Sequence, residues 1–282
     1  MFDLQEKLAN SVESRLRSHG IVSMCAPVTP TSLNATSDNI HCKTHSVHDV
    51  HLILMSRGLE TIPKGGEKVE SLDVSYNNIE RLPDYVFWNN SFRNVKKLSL
   101  QQNRISNISL NAFKGVRSIR EIDLSDNLIT SIDPYLFKTN THFQKLIIMN
   151  NSIKFDRLQT FLLSSSLQYL VMSNNNIDQI YEVTFLGVPN LRSLILNDNG
   201  VFRIASNSFR TLNKLHYLSL ANTGVYRLRE SMFSQIPHIV NLEGTLLSKR
   251  FEPPLKKITG DSVTKLIHLL HVMIDEDEYT KK

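Results

Sequence analysis

Pairs of aliphatic residues separated by one position recur along the chain at Leu72/Val74, Leu98/Leu100, Ile122/Leu124, Leu146/Ile148, Leu170/Met172, Leu194/Leu196 and Leu218/Leu220. Successive first members stand 26, 24, 24, 24, 24 and 24 residues apart, and Leu242 extends the series by one step. Five residues after each first member comes Asn77, Asn103, Asn127, Asn151, Asn175 or Asn199, with Thr223 in the seventh slot. Ten further on stands Phe87, Phe113, Phe137, Phe161, Phe185, Phe209 or Phe233. A phase held this long predicts a stack of similar coils. Within each coil the alternation has the period of two of a strand, so one short strand turns its aliphatic side chains inward. The Asn falls where the chain turns out of that strand, and its amide can donate to and accept from backbone groups that a buried turn would orphan. The Phe fills the wider, opposite half of the coil, and stacking buries a continuous core that no single repeat could make.

This LxxLxLxxNxI…F pattern resembles the 24-residue "typical" class of the leucine-rich repeat family, known from Toll-type receptors and small leucine-rich proteoglycans. The resemblance implies an α/β solenoid, a right-handed horseshoe with a parallel concave β-sheet and an irregular or short-helical convex side. It covers residues 69–245 as seven full repeats and a partial eighth.

The ends depart from the pattern. Residues 41–68 resemble an atypical N-terminal cap of extracellular leucine-rich repeat proteins, with Leu52 and Leu54 in the strand positions, Arg57 in the Asn slot, and Leu59, Ile62 and Pro63 following. Such caps usually carry four cysteines, but this chain has Cys25 and Cys42 alone. One disulfide between them is open, and it would form if the chain matures in an oxidising compartment. Residues 1–40 read as an amphipathic N-terminal helix, over 2–18, followed by a Pro-, Ser- and Thr-rich disordered linker. That helix lacks the apolar core of a secretory signal. After Thr245 the 24-residue count fails, putting Leu247 in the Asn slot and Lys249 in an inward one. Residues 246–282 are therefore expected to cap the solenoid, with Pro253 and Pro254 breaking the chain before a helix at about 262–275 that starts after Asp261.

Composition narrows the function classes. The chain of 282 residues is 41% hydrophobic and 21% charged, enough for one extended domain with a sizeable core. No stretch approaches the roughly 18 apolar residues of a membrane span. The net charge of +5 is spread among 27 acids, which argues for a solvated surface and against nucleic acid as a partner. No phosphate-binding glycine loop, nucleophile elbow or metalloprotease motif is present, so the chain is not expected to be an enzyme and implies no cofactor. His41, Cys42, His45, His48 and His51 could gather imidazoles around zinc or copper, yet their spacing matches no closed four-ligand pattern. They read instead as a polar loop entering the cap strand, and no metal is expected.

Function then belongs to the face the strands present. The outward central position runs Asp73, Ser99, Asp123, Ile147, Val171, Ile195, Ser219, Glu243, so three adjacent repeats are apolar where the pattern expects polar residues. Met149 on one side, with Tyr169 and Tyr217 on the other, completes a contiguous patch. The N-terminal part of the face is charged, with Glu70, Lys96, Lys97, Arg120, Glu121 and Asp126. Tyr and Met within an apolar patch rimmed by charge have the composition of a protein-interface core. β-branched residues also suit strands for their own sake, but that preference does not account for an unbroken row with aromatic neighbours. The expected function is non-catalytic recognition of a protein partner, or of a second copy of the chain, by an extracellular or cell-surface ectodomain. The alternative is a cytoplasmic scaffold using the same face. Sequons at Asn34, Asn89, Asn107 and Asn150 do not separate the two, because a chain this rich in Asn, Ser and Thr forms about four by chance.

Overall fold

Three residues of each repeat form a strand, because the middle residue of the triplet is an aliphatic one that only the interior can accommodate. The computed structural model describes residues 50–267. Among these, nine strands lie parallel in chain order: β1 His51–Ile53, β2 Ser71–Asp73, β4 Lys97–Ser99, β6 Glu121–Asp123, β7 Lys145–Ile147, β8 Tyr169–Val171, β10 Ser193–Ile195, β12 Tyr217–Ser219 and β13 Ile239–Asn241. Their inward residues pair rung by rung, Leu52↔Leu72↔Leu98↔Ile122↔Leu146↔Leu170↔Leu194↔Leu218↔Val240. From Leu72 onward none of these is more than 3% exposed. On the opposite limb two short parallel pairs form, β3 Arg81–Leu82 with β5 Asn107–Ile108, and β9 Gln179–Ile180 with β11 Arg203–Ile204. This is the parallel-sheet leucine-rich repeat horseshoe that the spacing predicts.

The phenylalanines form a spine on the convex side. Phe87, Phe113 and Phe137 stack at 5.4 and 5.0 Å, and Phe185, Phe209 and Phe233 at 6.0 and 5.1 Å. The first repeat is longer by two residues, and the extra length lies between Phe87 and the buried Phe92, around the helical turn α1 Val86–Asn89. Repeat four breaks the spine. Where the other coils turn a residue such as Leu82 or Ile180 inward, it carries Asp156, a carboxylate that could not be buried alone without heavy cost. The chain shifts by one residue: Asp156 is exposed and accepts a 2.6 Å hydrogen bond from the Leu158 N–H, while Phe155 turns in. Phe155 meets Phe161 and Phe185 edge-on, each at 5.5 Å, and so joins the displaced Phe161 to the C-terminal half of the spine.

Two expectations for the C-terminal end are corrected. Val240, not Leu242, stands beside Leu218, so the seventh repeat is 22 residues long. The two missing residues fall between Phe233 and β13, where the chain reads SQIPH. Because aliphatic residues occur in pairs two apart, a 24-residue count landed on the second member, Leu242, and missed the first. With the frame moved by two, Asn241 replaces Glu243 in the central column and Thr245 takes the ladder slot, its hydroxyl donating to Leu242 O as Thr223 donates to Leu220 O. Leu247 is then inward and fully buried, and Lys249 is exposed. The pattern therefore does not fail at Thr245.

The second correction is a tenth strand, β14 Lys257–Thr259, which pairs antiparallel with β13. The chain reverses at Gly260, whose φ of 56° suits a residue without a Cβ. A helix follows over 261–267 and buries Val263, Leu266 and Ile267 against the last coil; Asp261 is its first residue and not the one before it. The rest of the expected helix, with Leu270 and Ile274, lies outside the described residues, as do the N-terminal helix, the linker, Cys25, Cys42 and the histidines before His51.

Candidate functional face

The concave face is built from three outward columns. Before the inward residue runs His51, Ser71, Lys97, Glu121, Lys145, Tyr169, Ser193, Tyr217, Ile239; after it comes the central column Ile53, Asp73, Ser99, Asp123, Ile147, Val171, Ile195, Ser219, Asn241. The third holds Ser75, Gln101, Ser125, Met149, Ser173, Asn197 and Ala221. Strand pairing sets Ile147 beside Val171 and Val171 beside Ile195, one rung of about 4.8 Å at a time. All three are half-buried, as are Met149 and Tyr217, while Tyr169 is 44% exposed. Tyr169 and Tyr217 are separated by Ser193, a small residue that leaves a dip between two rings.

The N-terminal border of this patch is charged and largely self-neutralised. Glu121 receives Lys145 Nζ at 2.6 Å and Lys97 Nζ at 3.9 Å, tying three adjacent strands, and Lys96 pairs with Glu70 at 2.6 Å. Asp123, directly beside Ile147, is less well served. Burial raises its carboxyl pKa above the usual value of 3.8, and Asp126 adds to the effect, against hydrogen bonding from Ser125 and the Lys145 charge. The Ser125 N–H reaches the carboxylate at 2.9 Å. At the other border, Lys257 of β14 reaches back across β13 to place its Nζ 5.5 Å from the centre of the Tyr217 ring, a cation–π contact. Ser219, between these groups and Ile195, is fully buried. Asn241, Ile239 and Lys257 thus belong to the face, and the 24-residue count concealed all three.

Beneath the face lies the asparagine ladder. Asn103 Nδ2 donates to Val74 O and Leu100 O, both at 3.0 Å, while its Oδ1 accepts from Ile79 N at 3.1 Å. Asn77, Asn127, Asn151, Asn175 and Asn199 repeat this bridging between consecutive coils. The residue before each ladder position has positive φ: Tyr76, Gln102, Asp126, Asn150, Asn174, Asp198 and Asn222, at 51° to 57°. Asn and Asp tolerate that conformation best among non-glycine residues. Here they also link to one another, Asn150 donating to Asp126 and Asn174 to Asn150, both at 2.8 Å, and Asn222 to Asp198 at 2.9 Å. Sequence reasoning missed this outer row.

Comparison with known proteins agrees with the geometry. The profile of the family described as "Leucine rich repeat" matches residues 93–153 and 141–201. Among solved structures, TLR13 from its complex with ssRNA13 is 25% identical, with a TM-score of 0.57, over 62% of this chain and 25% of that one. The leucine-rich repeat domain of APL1B is 19% identical, with a TM-score of 0.52, over 74% of this chain and 62% of that one. Human 5T4, described as Wnt-activated inhibitory factor 1 or trophoblast glycoprotein, is 21% identical, with a TM-score of 0.56, over 67% of this chain and 75% of that one. This chain therefore spans a quarter of TLR13 and under two thirds of the APL1B domain. No curated protein matches its sequence. Among the described residues no helix is long and apolar enough to cross a membrane. Residues 93–201 thus carry repeats of the leucine-rich repeat family recognised by profile, and the solved structures share the solenoid fold in which those repeats sit.

Proposed function

We propose that this protein-interaction module is a secreted or cell-surface ectodomain that recognises a protein partner, or a second copy of itself, without catalysis, through the concave patch of Ile147, Met149, Tyr169, Val171, Ile195 and Tyr217. The observation that carries the reading is the registered row Ile147–Val171–Ile195, apolar in three consecutive rungs of a column that, apart from Ile53 at its N-terminal end, is otherwise filled by Asp, Ser and Asn. Half-buried aliphatic residues beside tyrosines form the kind of surface that a partner desolvates with little loss of side-chain entropy. TLR13 was crystallised with an RNA, but the N-terminal half of this face interleaves Glu70, Asp73, Glu121, Asp123 and Asp126 with Lys96, Lys97, Arg120 and Lys145, a mixed charge that offers no continuous cationic track for a phosphate backbone and favours a protein. The test is covalent capture on living cells and in cytosolic extract with the native chain and with the triple variant Ile147→Ser/Val171→Ser/Ile195→Ser. A cell-surface protein captured by the native chain and missed by the variant is expected. Capture confined to cytosolic proteins would replace the ectodomain by a scaffold, and capture unaffected by the variant would remove the face.

A further inference from the structure

The last three coils depart from the repeat a second time, on the flank where the chain leaves the sheet. One residue past the ladder slot, earlier coils carry Asn78, Arg104, Leu128, Ser152 and Asn176, but the last three carry Gly200, Gly224 and Leu246. Two residues further on, Glu80, Ser106, Thr130, Lys154 and Asp178 give way to Phe202 and Tyr226. The next position supplies Arg203, Arg227 and, with the two-residue offset of the eighth coil, Lys249.

These positions adjoin in space. A Cβ on Gly224 would lie 3.3 Å from the Phe202 Cβ, so the two coils lie close together at Phe202 and Gly224. Leu247 N donates to Val225 O at 2.8 Å, which brings Leu246 alongside the segment holding Tyr226. Phe202, Tyr226 and Leu246 are 48%, 49% and 52% exposed, while the neighbouring inward residues Val201, Val225 and Leu247 already fill the core. The exposed apolar side chains are therefore additional to the core. Arg227 stands with its Cζ 5.9 Å from the Tyr226 ring centre. The ion pairs found among the described residues sit on Glu67, Glu70 and Glu121, far along the chain, and none involves Arg203, Arg227 or Lys249.

We propose that this flank is a second docking surface, separate from the concave face, whose occupant is an extended acidic segment of a partner protein with apolar side chains next to its Asp or Glu residues. Arg203, Arg227 and Lys249, at the same offset in successive coils, complement such acids, and Phe202 and Tyr226, with Leu246 two positions earlier in its own coil, take the apolar side chains. A single-stranded nucleic acid fits less well: Leu246 offers no ring to stack on, and three cations neutralise few phosphates.

The experiment measures binding of the full chain to three probes: a synthetic peptide of Glu alternating with Leu and Phe, its counterpart with Lys for Glu, and a single-stranded oligouridine. The Glu peptide is expected to bind and the Lys peptide not to. Phe202→Ser/Tyr226→Ser and Arg203→Glu/Arg227→Glu should each weaken the Glu peptide by about tenfold or more at unchanged melting temperature. The charge-reversed variant should also gain affinity for the Lys peptide, a result that misfolding could not give. The triple serine variant of the concave face should bind the Glu peptide like the native chain. No binding of the Glu peptide, equal binding by all variants, loss only in the concave variant, or tighter binding of oligouridine at the same residues would each overturn the proposal.

Discussion

At the scale of single residues, two rows of amides run side by side through the coils with different consequences. Asn151 is buried and bridges Leu124 O, Met149 O and Ile129 N. Asn174, next to the neighbouring rung, is exposed and links only to Asn150. Replacing Asn151 by Ala should cost about 1–3 kcal/mol in urea unfolding, because buried carbonyls and an N–H lose their partner, whereas Asn174→Ala should cost less than half as much. Partner affinity of the folded Asn151→Ala protein should be unchanged; a selective loss of binding at native stability would put the ladder in the functional site. The inner row was legible in the sequence because it is nearly all Asn. The outer row was not, because Tyr76, Gln102, Asp126, Asn150 and Asp198 share a backbone conformation and no side-chain type. A second residue-scale outcome concerns Asp123. Its raised pKa means that the folded protein holds the proton more tightly than the unfolded chain. The carboxylate therefore destabilises the fold at neutral pH, and that penalty is relieved as pH falls through the raised value toward 3.8. Asp123→Asn, which keeps an acceptor for the Ser125 N–H, should be more stable than the native protein at pH 7 and lose that advantage in acid. Equal stability of the two proteins from pH 7 down to the acid limb would refute the assignment.

At the scale of the coil, the period carried the parallel sheet and the inward rows, and it also carried the irregular fourth coil, since an acid in an aliphatic slot can only turn out. It did not carry the shortened seventh coil. A pair of aliphatic residues two apart looks the same to a count that is two residues off, and only strand pairing separates Val240 from Leu242. Nor did it reveal β14, three residues long behind two prolines and held by one antiparallel neighbour. Coil packing itself can be tested at Gly187, where an added Cβ would lie 2.2 Å from the Leu162 carbonyl oxygen, so backbone must move. Gly187→Ala should lower stability by about 1–3 kcal/mol, the usual range for overpacking. Gly66→Ala, with nothing within 4 Å of the new Cβ, serves as the control. A Gly187→Ala protein as stable as that control would mean the two coils lie further apart than described. The same substitution should accelerate hydrogen exchange in repeats four and five first, since in a solenoid each coil is supported by its neighbours.

For the whole molecule, the sheet places every outward residue of nine parallel strands on one concave surface, and the two ends of that surface differ. Ion pairs on Glu70 and Glu121 occupy the N-terminal rungs, Lys257 and Tyr217 close the C-terminal edge, and the apolar row lies between. Its position was legible in the sequence, because alternation alone sends Ile147, Val171 and Ile195 outward; its C-terminal border was not, because that depends on a strand returning from beyond two prolines. The measurement that tests the central claim most directly is titration of a captured partner, or of self-association, against the native protein and the triple serine variant, with melting curves matched beforehand. The account predicts an unchanged melting curve and a loss of about 2 kcal/mol or more in binding, with Tyr169→Ala and Tyr217→Ala following the same course. Equal affinities for the native and triple serine proteins would contradict it.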